Sequence, residues 1–356
     1  MRRNEVKLPT TKRKILFIGL GSIGQRHLRN VYSKYGEDIT LLAYRAKGSA
    51  RTISQDLTTE ENIDIATKYP LKIYTDLKEA LSQSPDMAFI CNPTSLHLSL
   101  SLAVAKAGYD LFIEKPISHS MEGVDELVSV CKSKEIVCAV GCQFRFHPSY
   151  TLLKKLISEK AVGNILSVHA EVGEYLPHYH KYEDYRKMYA SRSDLGGGVI
   201  FTQIHEIDYL YDLFGMPDWV SASGGHLSGL DIDVEDTADI LMEMSFSDRK
   251  LPVSLHMDYI QRPPVRTCKI IGEAGRILAD FQSAKVILEK SNMDTEVYDN
   301  DGFERNNLFI DEIEDFFYCI EQRTQPVASL GDGQNGLRIA LAVKESMEKR
   351  KSVFLK

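Results

Sequence analysis

Nothing in this chain is present in great excess, and each shortage excludes something. The 356 residues hold six cysteines, scattered singly and with no C-x-x-C pair. Neither a disulfide frame nor a zinc site is expected, and Cys91, Cys138 and Cys142 read as reduced core thiols. Basic charge is in deficit. Lys and Arg number 43 against 50 Asp and Glu, a net charge of −7, so nucleic-acid binding has no electrostatic support. No apolar run approaches the roughly 20 residues that cross a bilayer. Met1-Arg2-Arg3 and Lys12-Arg13-Lys14 are basic but lack the apolar segment of a secretion signal, so the cytoplasm is the expected location. Internal repeats, low-complexity tracts and a wide polar linker are also missing. What remains is ordinary globular composition, 43% hydrophobic and 26% charged, at a length that predicts two domains.

The first domain, residues 1–142, alternates short apolar strands with helical patterns, as in a doubly wound parallel sheet. Strands are expected at 14–18, 39–44, 87–92, 110–114 and 136–141. Helices are expected at 22–35, 96–107 (with Gly108 as its stop) and 120–134. Two polar segments, 59–68 and 77–82, read as helix-prone. The pattern changes near Gln143–Pro148. Residues 143–356 then read as an α+β domain: a helix at 150–159, strands at 165–173, 219–223, 237–246, 253–259, 267–271, 276–280 and 286–289, and a last helix at 336–349 expected to pack back on the first domain. Strict alternation of Val168, Ala170 and Val172 with Ser167, His169 and Glu171 marks a one-faced strand. The expected sheet is large, open and mostly antiparallel.

Gly19-Leu20-Gly21-Ser22-Ile23-Gly24 follows the apolar run Ile15–Ile18 and opens a helix. Gly19 allows the bend, Gly21 lets backbone approach a pyrophosphate, and Gly24 lets helix pack on strand. The N–H groups at Ser22 and Ile23 would face the phosphates. In such folds an acid about twenty residues further on bonds the adenosine ribose of NAD. Here Tyr44 and Arg45 end the second strand, Glu37 and Asp38 precede it, and Lys47, Ser49 and Arg51 follow. A guanidinium in that place suits a 2′-phosphate, so NADP(H) is favoured over NAD(H). Asn92 and Thr94 lie at the carboxyl edge of the sheet, where they would bond the nicotinamide ribose, with His97 one turn on. Glu114-Lys115-Pro116 ends the run Leu111–Ile113, which aims a lysine at the same edge and adds Glu114 and Lys115 to Tyr44, Arg45, Asn92, Thr94 and His97 as expected cofactor contacts.

On the expected helix 199–214, after Gly196-Gly197-Gly198, His205, Asp208, Tyr209 and Asp212 share one face. His205 with Asp208 one turn later has the spacing either of a proton-transfer pair, the aspartate orienting the imidazole, or of an ordinary buried histidine bonded to its neighbour, and the residues alone favour the second. Residues 171–189 crowd aromatics, histidines and charges past a strand, a composition that suits sugars. Tyr175, His178, Arg186, Arg145, Thr202 and Gln203 are the candidate substrate residues. His178 and His180 have no third ligand in view, so no metal is expected.

The motifs GLGSIGQRH, ICNPTSLH, EKPIS, GCQFRFHP and GGGVIFTQIHEIDYL, in this order, resemble the glucose-fructose oxidoreductase, inositol dehydrogenase and rhizopine catabolism family (Gfo/Idh/MocA) over nearly the whole chain. The resemblance implies an N-terminal Rossmann domain and a C-terminal α/β domain whose sheet mediates homo-oligomerisation as dimer or tetramer. It implies oxidation or reduction of a carbinol carbon on a sugar, cyclitol or nucleotide sugar. It assigns Lys115 to catalysis beside a cis Pro116, and His205 to proton transfer. Thr202 and Phe201 stand where many members carry an aspartate, so a second acid in the relay is not expected. HEIDYL with EYLP and EDYR is similar to members tied to bacterial surface-sugar or sialic-acid-like metabolism. Two other outcomes known in that family stay open: a glycosidase that recycles its dinucleotide, and a non-enzymatic dinucleotide-binding sensor. Retention of Lys115 and His205 speaks against the sensor.

Overall fold

The computed structural model describes residues 12–45, 51–54, 58–180, 182–291 and 294–355. Two compact units emerge. One comprises residues 1–141, 180–184 and 309–333, the other 142–179, 185–308 and 334–356.

The first unit contains β1 (Arg13–Ile18), α1 (Ser22–Tyr35), β2 (Ile39–Tyr44), β3 (Arg51–Ile53), β4 (Thr59–Asp64), α2 (Ile65–Lys68), β5 (Leu71–Tyr74) and α3 (Leu77–Ser82). It continues through β6 (Met87–Ile90), α4 (Thr94–Ala107), β7 (Asp110–Ile113), α5 (Val124–Ser133) and β8 (Cys138–Val140). Six strands pair in the order β5-β2-β1-β6-β7-β8, every pair parallel. The order reverses between β1 and β6, and the crevice outside that reversal is where such sheets hold ligands. β1, β6 and β7 are buried throughout apart from Lys14, as expected of strands covered on both faces.

The second unit contains α6 (Pro148–Ser158), β9 (Ile165–Gly173), α7 (Val199–Thr202), α8 (His205–Phe214), β10 (Pro217–Gly225), β11 (Thr237–Phe246) and β12 (Arg249–Asp258). β13 (Val265–Gly272), β14 (Gly275–Asp280), β15 (Lys285–Lys290), β16 (Glu296–Asp299), α9 (Arg305–Gln322), α10 (Leu330–Lys349) and β17 (Val353–Phe354) follow, although most of α9 belongs to the first unit. Nine strands pair in the order β16-β15-β14-β13-β9-β12-β11-β10-β17. Only β9 and β12 run parallel. One face is apolar and carries α6, α7 and α8. The other is open, with Leu241 opposite Ser254 and Asp239 opposite His256.

Several expectations need correcting. Residues 59–64 form β4 rather than helix, because pairing with β3 outweighs the weak helical preference of a short polar segment. Asp64 then caps α2 through the Ala66 N–H. The helix expected at 199–214 is interrupted at Gln203 and Ile204, which puts His205 at the first position of α8. The helix at 120–134 starts only at Val124, after Gly123 in the left-handed region. Residues 305–322, given no element from the sequence, form α9. Its Ile313, Phe316, Phe317 and Ile320 join the core built on β1, β2 and β6. Burying these four side chains contributes roughly 1.5–3 kcal/mol each. All six cysteines are free and buried. Among the described residues, no helix is long and apolar enough to cross a membrane.

Candidate functional site

In the first unit the turn after β1 brings the backbone so close to β6 that position 19 must be glycine. A Cβ there would lie 2.8 Å from the Cys91 carbonyl carbon, and φ is +96°. A Cβ on Gly24 would lie 2.2 Å from the Gly19 oxygen, whereas nothing lies within 4 Å of one on Gly21. Gly21 also caps α1 without a side-chain hydrogen bond, leaving the N–H groups at Ser22 and Ile23 to a ligand. Across the crevice, Asn92 Oδ1 is buried without a hydrogen-bond partner among the described residues. An open glycine, an uncapped helix end and an orphaned amide oxygen fit a dinucleotide. Tyr182, missed from the sequence as a residue of this turn, hydrogen-bonds Ser22. Burial chiefly pushes its phenol up, to about 12.

Thr94 is buried at the start of α4. His97 does something other than face a cofactor. Its Nδ1 lies 2.6 Å from the Pro116 carbonyl oxygen and its Nε2 2.7 Å from that of Asn92. With both nitrogens engaged and 1% exposure, it ties the two carboxyl-edge loops together. Burial lowers its basicity, while the two carbonyls pull the other way.

Lys115 follows β7 and is half-buried, and its peptide bond to Pro116 is cis, as the resemblance implied. Glu114 lies behind it. Its Oε1 meets His27 Nε2 at 2.7 Å and its Oε2 accepts from the Lys115 N–H at 3.3 Å. A Cβ on Gly141 would lie 3.1 Å from that carboxyl, so a larger residue at 141 would crowd it. Glu114 thus anchors the lysine's backbone from within the protein.

Tyr44 ends β2 and Arg45 follows it, with no carboxylate between them and the described segment that follows. Arg45 is half-buried, and burial chiefly lowers its basicity while Asp64 opposes that shift. Lys47 and Ser49 lie outside the described residues, and the Arg51 side chain is not described.

In the second unit, Gly198 adopts φ +104°, and a Cβ there would lie 2.3 Å from the Glu235 carboxylate. This close approach leads the chain into α7 and α8. His205 is 4% exposed. Its Nε2 lies 3.3 Å from Gln143 Nε2 and its ring 5.0 Å from that of Phe144. Asp208 is bonded to another partner. Both Asp208 oxygens engage Arg145, at 3.0 Å from Nε and 2.7 Å from Nη2. Arg145 also reaches Asp212 at 3.3 Å, and Asp212 accepts from Tyr150 and Lys154. The i, i+3 spacing put histidine and aspartate on one face, but a planar guanidinium matches a carboxylate in two bonds and takes it. Arg145 is therefore a buried ion-pair residue and not a free grip for substrate. Gln143 is the imidazole's neighbour that spacing alone did not reveal, although it sits in the quoted GCQFRFHP motif.

Thr202 and Gln203 are buried at the helix break, with Gln203 Nε2 on the Tyr179 hydroxyl. The Tyr175 ring lies under the Arg262 guanidinium at 4.2 Å and packs edge-on to His178 at 4.9 Å. Arg186 is 3.9 Å from Asp231 on the surface. His180, in the first unit, pairs with Glu183 at 2.7 Å.

A family model described as an oxidoreductase family with an NAD-binding Rossmann fold matches residues 13–142, and one described as the GFO/IDH/MocA C-terminal domain matches residues 150–278. Myo-inositol 2-dehydrogenase of Thermotoga maritima is 25% identical over 354 residues, covering 96% of this chain and 98% of the relative. The 2,7-anhydro-N-acetylneuraminate hydratases of Mediterraneibacter gnavus and Escherichia coli are 27% and 28% identical, but the matches span only 52% and 53% of their lengths. Among solved structures, levoglucosan dehydrogenase with NADH superposes at a TM-score of 0.81 with 19% identity, covering 97% of this chain and 100% of that one. The WlbA dehydrogenase of Bordetella pertussis, with NADH and UDP-GlcNAcA, gives 0.79 with 18% identity, covering 98% and 99%. At these identities the superpositions report the shared fold.

Proposed function

The chain belongs to the Gfo/Idh/MocA oxidoreductase family, and on that premise we propose that it transfers a hydride to or from a carbinol or keto carbon of a sugar, cyclitol or nucleotide sugar. The observation that carries this reading is the carboxyl edge of the parallel sheet, where the open Gly21 turn and the Glu114-anchored Lys115 occur in one unit. A nicotinamide dinucleotide held by Gly19, Gly21, Ser22, Ile23, Gly24, Asn92 and Thr94 would supply or accept the hydride. The chain's own residues do the rest. The Lys115 ammonium stabilises negative charge developing on the reacting oxygen. His205 takes or gives the hydroxyl proton, with Gln143 holding the ring's direction. Asp208 keeps Arg145 in place.

NADP(H) is favoured over NAD(H), supported by Arg45 and the lack of a carboxylate at the end of β2. A homo-oligomer through the open face of the nine-stranded sheet goes with this reading, supported by Leu241, 46% exposed on that face. Six buried free thiols suit a reducing, cytoplasmic setting. A second reading has one observation in its favour: two relatives are named as hydratases, for a reaction without net redox change. The test is a panel of sugars, inositols and UDP-sugars with NADPH or NADH fluorescence as readout. Hydride transfer predicts stoichiometric gain or loss of reduced cofactor with at least one class. Product formation without that change selects the recycling reaction, and dinucleotide binding without turnover of any compound overturns both.

A further inference from the structure

We propose that Glu312, on α9, is a positioning residue for Lys115: a neutral carboxyl that leaves Glu114 the sole anion behind the lysine. The proposal rests on the reading of Lys115 as the catalytic cation. His27, Glu114 and Glu312 each offer a polar atom, all within 4.8 Å of one another. The three residues are 0%, 7% and 3% exposed. The His27 ring lies among Phe89, Phe112 and Phe309, at centroid distances of 5.7, 5.0 and 6.0 Å. Neither oxygen of Glu312 has a hydrogen-bond partner among the described residues.

Two ionised carboxylates in such apolar surroundings repel each other and have little water to screen them, so one must take up a proton. Glu114 has two hydrogen-bond contacts, His27 and the Lys115 N–H, whereas neither Glu312 oxygen has one among the described residues. Burial, then the charge of Glu114, pushes the Glu312 carboxyl well above the usual range, with Arg26 opposing. The other titratable neighbours add no balancing charge. The Cys91 thiol is pushed well up, chiefly by burial and then by the charge of Glu114. His97, lowered chiefly by burial, is engaged on two carbonyls.

A divalent ion would also balance two carboxylates and an imidazole. Two ligands about 2.0–2.2 Å from a tetrahedral ion stand roughly 3.3 Å apart, whereas His27 and Glu114 meet at 2.7 Å. That is a hydrogen-bond distance, and it favours a proton over a metal. An ionised Glu312 would repel Glu114 from His27 and loosen the Lys115 backbone it anchors.

The test compares the wild type with Glu312→Gln, which keeps the shape and cannot ionise, and with Glu312→Leu. Infrared spectroscopy at neutral pH should show a protonated-carboxyl stretch in the wild type that Glu312→Gln lacks. The folded wild type holds a proton that the unfolded chain releases, so wild-type stability falls as pH rises above the ordinary carboxyl range. The melting temperature of Glu312→Gln should therefore gain on the wild type between about pH 5 and 8. In turnover, Glu312→Gln should keep the wild-type kcat while Glu312→Leu loses about tenfold or more, with cofactor affinity unchanged in both. An unchanged infrared band in Glu312→Gln, a melting-temperature difference that is flat with pH, or one metal ion per chain by elemental analysis overturns the proposal. A wild type that binds cofactor and turns over nothing sinks the functional reading instead, and the spectrum and the melts still judge Glu312.

Discussion

Replacing Arg145 by alanine should destabilise the second unit rather than merely weaken substrate binding. The side chains of Arg145 and Asp208 are 2% and 4% exposed, and they meet through two bonds of 3.0 and 2.7 Å. Truncation leaves a buried carboxylate without its two guanidinium bonds, and breaking such a pair costs about 3–5 kcal/mol. Asp212 adds little to that figure, because it is 19% exposed and retains Tyr150 and Lys154. One kcal/mol moves the melting temperature of a 150–250-residue unit by about 2–4 °C, so the expected fall is about 6–20 °C. Calorimetry on Arg145→Ala, Asp208→Ala and the double variant measures it. The double variant should lose less than the sum of the singles, since removing both partners leaves no orphan charge. A variant that melts with the wild type while its substrate KM climbs would return Arg145 to the substrate and refute the ion-pair account.

Arg45→Ala should weaken NADPH binding more than NADH binding in fluorescence titrations, and equal loss of both would remove the 2′-phosphate assignment. His256, on the open sheet face, meets Asp258 at 2.9 Å and Asp239 at 2.8 Å. The hydrogen bond to Asp258, then that to Asp239, raises it to about 9 against burial. Its protonated form is favoured by folding, so the stabilisation is whole below about pH 6.5 and is lost as pH rises through about 9. Melting curves of His256→Gln against the wild type should converge at the alkaline end, and a gap that widens there would reverse the sign.

Much of the first unit could be read because its signals are local. Clean apolar runs on either side of a glycine turn bound β1, α1 and β2 nearly to the residue. Alternation did the same for β9, which has one buried face. What escaped depends on contacts across long stretches of sequence. The spacing of His205 and Asp208 shows that they share a helix face, but not that Arg145, 63 residues away, takes the aspartate. Nothing at Gln203 or Ile204 announces a helix break, since neither is glycine or proline. The apolar period of Ile313, Phe316, Phe317 and Ile320 was there to be read. That it fills the core of the parallel-sheet unit, and brings Glu312 to Glu114, belongs to the tertiary fold alone.

The central claim is hydride transfer assisted by the Lys115 ammonium. Its most direct test uses dinucleotide deuterated at the transferring position, with a keto-sugar or keto-cyclitol substrate and mass spectrometry of the product, for the wild type and Lys115→Met. The wild type should place one deuterium on the product carbon. Lys115→Met should bind the dinucleotide as the wild type does and transfer about 100–1,000-fold more slowly. Equal transfer rates in the two proteins, or a wild-type product without label, would contradict the account.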